Sequence, residues 1–135
     1  MGKLAARQGD RVVATDIHII LVPAAAGAPV PTPTPLPFSG ALDGGLSADV
    51  RVNSRPAATQ GSTATNTPPH IPAGGPFQRP PSNRSQIVSG SLRVQINGKP
   101  AARAGDTALT CNDPVDLPNG SVVVTPGARP VSVGD

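Results

Sequence analysis

The sequence predicts an all-β fold, a small body of short strands. Three observations carry that prediction: prolines interrupt helical windows, proline-free stretches alternate at period two, and turn residues separate them. Prolines stand at 23, 29, 31, 33, 35, 37, 56, 68, 69, 72, 76, 80 and 81. Inside a helix each would remove a donor and clash with the preceding turn, at a cost of about 3 kcal/mol. Taken in order, Ala48–Asn53 and Ser91–Asn97 place apolar groups on one face and polar groups on the other. Ser121–Thr125 and Pro130–Val133 add β-branched runs, so all four windows are expected as strands.

At 135 residues the chain is expected to form a single domain, 1–135. Gly 15 and Pro 18 make up about a quarter of it, near the level at which low complexity becomes a concern. Two Phe and no Trp or Tyr exclude a core of large rings and a base-stacking platform. A net charge of +3 is too weak for a nucleic-acid footprint, so no nucleic-acid partner is expected. One cysteine forbids an internal disulfide. The N-terminus reaches Gly9 and Asp10 too early for a signal peptide, and no apolar run is long enough for a transmembrane helix.

A nonapeptide occurs three times, at 2–10, 54–62 and 98–106. The first and third copies agree at seven of nine positions: Ala5, Ala6, Arg7, Gly9 and Asp10 answer to Ala101, Ala102, Arg103, Gly105 and Asp106. The middle copy keeps Pro56 (the counterpart of Pro100), Ala57, Ala58 and Gly61. Offsets of 52 and 44 residues make the repeats unequal, with insertions between them. Three copies with short strands predict a body of approximate threefold symmetry. The Pro-rich insertions 23–37 and 68–81 are expected to be ordered, polyproline-like loops crossing its surface.

The two histidines and the single cysteine follow the repeats in register. His18 and His70 lie eight positions beyond Asp10 and Ser62, and Cys111 lies five beyond Asp106. Each repeat thus delivers one ligand type in the loop that follows it, and threefold symmetry brings those loops together. Two imidazoles and a thiolate suit a structural zinc ion, with iron as second choice. The fourth position stays open among Asp113, Asp16 and water. Singly, His18 on the apolar Asp16–Ile20 stretch reads as a core residue and Cys111 as a small buried hydrophobe. No HExxH, GxSxG or phosphate-cradling loop is present, so no catalytic residue is assigned. A zinc hydrolase and a Cys–His nucleophile are the weaker alternatives.

Pro100-Ala-Ala-Arg103, with Leu4-Ala-Ala-Arg7 and Pro56-Ala-Ala-Thr59, resembles the PAAR-repeat family. Its members cap the spikes of type VI secretion systems and related phage-tail-like contractile injection particles. The resemblance implies a cone that sits on a trimeric β-helical spike of the VgrG type, one tip per trimer, with zinc near the apex. It implies a non-enzymatic role in membrane puncture, with transient contact with the target membrane. Assembly would take place in the bacterial cytoplasm, before delivery outside the cell or into a target. An adaptor role, docking effector cargo through loops around Pro31–Pro37 and Pro72–Pro81, is the alternative. Family members use three histidines and one cysteine, and this chain lacks the third histidine.

Overall fold

In the computed structural model, residues 2–126 and 129–134 are described, and they form strands and connecting loops without a helix. Each copy of the repeat leads into a hairpin. The first gives β2 (Arg11–Val22) and β3 (Val30–Gly44), the second β6 (Thr63–Asn66) and β7 (Arg84–Ile87), and the third β10 (Thr107–Thr110) and β11 (Leu117–Val123). These close into a six-stranded barrel in the order β10-β11-β2-β3-β6-β7. Three two-stranded ribbons lie at one end: β4 (Arg51–Val52) with β5 (Arg55–Pro56), β8 (Gln95–Ile96) with β9 (Lys99–Pro100), and β1 (Lys3–Leu4) with β12 (Ser132–Val133).

The threefold arrangement is explicit in the backbone. Ala6 N–H donates to Ala102 O, Ala102 N–H to Ala58 O, and Ala58 N–H to Ala6 O, each at 3.0 Å, a closed ring of three bonds. A second ring runs from Gln8, Gln60 and Ala104 N–H to the carbonyls of Pro56, Pro100 and Leu4. Around such an axis only methyl groups fit, which is why the central positions are alanine. Ala6, Ala58 and Ala102 point into the barrel core with Val12, Ala64, Ala108, Phe38, Leu42, Ile87 and Val122. Their neighbours Ala5, Ala57 and Ala101 join Val52 and Val133 in a second cluster at the ribbon end.

The turn closing each repeat is also shared. Gly9, Gly61 and Gly105 have φ of 89°, 99° and 88°, a region that L-residues other than Gly avoid. Asp10 and Asp106 carboxylates accept from the Arg7 and Arg103 N–H groups, and in the middle copy Ser62 Oγ accepts from Thr59 N–H at 2.9 Å. Both arginines are buried and paired with these aspartates. The middle copy replaces both members of that pair by Thr59 and Ser62.

Four expected strand windows are corrected. The windows 48–53 and 91–97 shrink to Arg51–Val52 and Gln95–Ile96, because Ser47 Oγ accepts from Asp49 and Val50 N–H and Ser91 Oγ from Arg93 and Val94 N–H. Those turns take the N–H groups that a ladder would need. In 121–125 and 130–133 the strands are Leu117–Val123 and Ser132–Val133.

The first Pro-rich insertion is a strand from Val30 on, and the intervening loop is only 23–29. It pairs residue for residue with β2, from Arg11↔Ala41 to Val22↔Val30. Alternate prolines permit this because odd-numbered β3 residues turn their backbone groups away from β2. Ser39, in phase with them, bonds instead to Asn66 and Thr67. Pro31, Pro33, Pro35 and Pro37 therefore place their missing donors on the open edge, which also blocks a further strand from pairing there. The second tract is loop and packs along β2, with Leu21 N–H bonded to Pro76 O and Gln78 N–H to Ile19 O.

Candidate metal centre

On β2 the even positions Val12, Asp16, His18 and Ile20 are all buried. Period-two geometry thus puts Asp16 and His18 on one face. β10 ends at Thr110, so Cys111 follows it at the same height, and the loop after β6 brings in His70. Asp16, His18, His70 and Cys111 each offer a donor atom, all within 4.8 Å of one another. The first repeat therefore supplies two of the four groups. His18 comes from a strand, contrary to the expectation that all ligands lie in loops.

Asp16 is the hub. Its Oδ1 accepts from Thr110 Oγ1 at 2.6 Å and Asn112 Nδ2 at 3.4 Å, while its Oδ2 lies 2.9 Å from His70 Nε2 and 3.5 Å from Cys111 Sγ. His70 is positioned by its own N–H, which donates to Asn83 Oδ1, and by Asn66 Nδ2 at 3.3 Å from Nδ1. The His18 and His70 rings lie 4.9 Å apart, and Phe77 and Phe38 close the sides at 5.8 Å from His18 and 6.1 Å from His70.

Asp113 stands beside the cluster. Its Oδ2 accepts from Ile19 N–H at 2.8 Å and lies 3.5 Å from His18 Nδ1, while Oδ1 takes Arg79. Burial alone would raise its pKa, but the Ile19 N–H and Arg79 hold it below the ordinary value. Asp113 faces His18 as an outer partner of the imidazole, an arrangement that orients a metal-binding histidine.

The donor set fits a metal ion. Buried His18 Nε2 has no hydrogen-bond partner among the described residues, and Nδ1 has only the 3.5 Å approach of Asp113 Oδ2, a costly state that coordination through Nε2 would relieve. Burial lowers the His18 pKa against the pull of Asp113, so the ring is held neutral, the form that ligates. Burial first, and then the Asp16 charge, push the Cys111 thiol up to about 11. A thiol so raised is not an activated nucleophile. A divalent cation would reverse its state and leave the site electrically balanced: one carboxylate, one thiolate and two neutral imidazoles.

Sequence reasoning ranked Asp16 no higher than Asp113 and missed Asn66, Thr110, Asn112 and Asn83. Asn66 and Thr110 stand four residues past the ends of their repeats, and Asp16 and Asn112 six. With strands leaving each repeat, that even spacing is the signal that could have marked them as inward-facing. Asn83 carries no comparable signal.

A family model described as PAAR motif matches residues 27–116, about two thirds of the chain. The match leaves out the first repeat, which the structure nevertheless places in the same ring as the other two. No curated protein and no solved structure matches. With the ring of three repeats and the matched motif in agreement, the chain belongs to the PAAR-motif family of contractile injection systems.

Proposed function

We propose that this protein is a non-enzymatic spike tip, which caps the trimeric β-helical spike of an injection particle and narrows it to a metal-stapled end. The observation that carries this reading is the closed threefold ring of Ala6, Ala58 and Ala102, which gives one chain the symmetry of a trimeric support. The whole of 1–135 acts as one unit. Zinc is the ion that two imidazoles, a thiolate and a carboxylate suit best, and Asp16 takes the place of the third histidine expected from the family.

The β2–β3 hairpin favours a penetrating role. It runs twelve residues past Asp10, whereas β6 and β10 end four past their repeats, an excess of about 26 Å at the rise of an extended strand. From 17 to 42 it carries no Asp, Glu, Lys or Arg. No helix of the described residues is long and apolar enough to cross a membrane.

The test is co-purification with the cognate VgrG-type trimer, with elemental analysis of the complex. One chain and about one zinc per trimer are expected. A complex of three chains per trimer would overturn the cap, and a zinc-free, fully stable protein would overturn the staple.

A further inference from the structure

We infer that the second Pro-rich tract is a strap around the donor cluster, latched by Arg79, whose opening sets how fast a bound metal ion is lost. The inference rests on the metal-staple part of the proposed function and adds residues that hold no ion themselves.

The hairpins are closed very differently. β10 and β11 are joined by 111–116, but β6 and β7 by 67–83. That longer connection runs alongside β2 at the cluster. Leu21 N–H donates to Pro76 O at 2.8 Å and Gln78 N–H to Ile19 O at 2.9 Å, around a single bridge between Ile20 and Phe77. Gly75 is needed for this approach, because a Cβ there would run into the Leu21 carbonyl. Most of the tract is exposed, whereas Asp16, His18 and Ile20 are completely buried.

The tract contacts three of the four donor residues. It leads off from His70, and the Phe77 ring packs 5.8 Å from the His18 ring. At its far end Ser82 and the Asn83 N–H bond to the Cys111 sulfur. Burial and then the Asp16 charge raise that thiol, and the two contacts oppose them, favouring the thiolate.

Arg79 supplies the latch. Its Nε donates to Asp113 Oδ1 at 3.0 Å and its Nη2 to the Asn112 carbonyl. The Arg79 side chain is 53% exposed and that of Asp113 4%, so the contact ties a surface cation to a buried carboxylate. The other oxygen of that carboxylate accepts from Ile19 N–H and faces His18 Nδ1. Arg79 is therefore a positioning residue: it acts on His18 through Asp113 and holds the strap shut.

Two backbone bonds to β2 and the Arg79 contacts are a modest hold on an exposed segment, of the kind that opens locally while a core stays folded. Opening would draw off His70, uncover His18 and withdraw both donors from Cys111 in one movement. Loss of an ion is thereby coupled to the strap. Pro72, Pro76, Pro80 and Pro81 limit the conformations of the open strap, which favours reclosure.

The experiment loads the full-length protein with zinc and follows its transfer to an excess of chromogenic chelator after mixing. Arg79→Ala should speed release by about 10–100-fold, the scale on which partners of metal ligands act. Gly75→Ala, which displaces the strap without touching a charge, should do the same. Arg79→Lys keeps the charge but not both hydrogen bonds, and its rate should fall between. Arg84→Ala, at an exposed arginine just beyond the strap, should match the wild type. Cobalt(II) loaded in place of zinc should give the same absorption spectrum in every variant, since the four ligands stay. Thermal melting checks that each variant is folded. Wild-type release rates in both Arg79→Ala and Gly75→Ala would overturn the strap while leaving the staple intact. An altered cobalt spectrum would mean that a ligand and not a cover was lost, and would overturn the latch. A wild-type protein that takes up no zinc would overturn the staple itself, and this inference with it.

Discussion

In the alanine ring the three repeats are interchangeable: the same 3.0 Å backbone hydrogen bonds, glycine turns and methyl groups recur around the axis. At the metal end each repeat contributes something different. The first sends up a long strand with Asp16 and His18, the second a loop with His70, and the third a short strand ending at Cys111. Symmetry persists where a threefold support would be met. It is abandoned where four dissimilar donors must surround a single point. One chain can do both because its repeats are joined by insertions of different length, which a true homotrimer could not have.

The comparison is broken most severely at the metal end. Asp16→Ala, Cys111→Ser or chelation should each lower the melting temperature by more than about 10 °C, since binding energy at a structural metal site is largely folding energy. Calorimetry with and without chelator checks this. Equal melting of the chelated and untreated protein would mean that the cluster is held by its hydrogen bonds alone.

At the ring, the middle repeat supplies the design of the next test. Arg103→Thr and Asp106→Ser alone should each cost about 3–5 kcal/mol, because a buried charge loses its partner. Together they install the Thr59–Ser62 pair already present in the second repeat and should cost less than either alone. Denaturant titration of the four proteins measures the coupling. Additive losses would show that the repeats are not interchangeable at this position.

Acidification gives the smallest effect and sharpens the contrast. His18 has a folded pKa below its ordinary 6.5, so the unfolded chain takes up its proton first. Stability is therefore complete above about pH 6.5 and declines as pH falls from there toward the folded value. Asp113 acts with the same sign below its ordinary 3.8. Thermal melts of chelated protein between pH 7.5 and 5 (about one to two units around the window) should show a decline that His18→Asn abolishes.

Much of this arrangement was legible in the residues. The nonapeptide announced the threefold body, and Gly9, Gly61 and Gly105 marked its turns, because only a left-handed backbone needs glycine there. His18, His70 and Cys111 were picked out by their register with it. The hairpin was not legible, since alternating prolines read as polyproline until a partner strand shows that their nitrogens face an empty edge. Nor was the rank of Asp16 over Asp113. Both are acidic and close to His18 in space, and only the strand parity of β2 and the Ile19 and Arg79 contacts separate them.

Local chemistry thus determined the elements that depend on a single residue's own backbone or side chain: the turns, the absence of helix, the supply of metal donors and the repeat itself. Tertiary structure decided what depends on distance between segments far apart in the chain. It chose which carboxylate meets the imidazoles, turned a proline tract into a strand, and gathered three alanines into a hydrogen-bonded ring. A linear sequence records the identity of each group but not the separation between them, and coordination, pairing and docking are all set by separation.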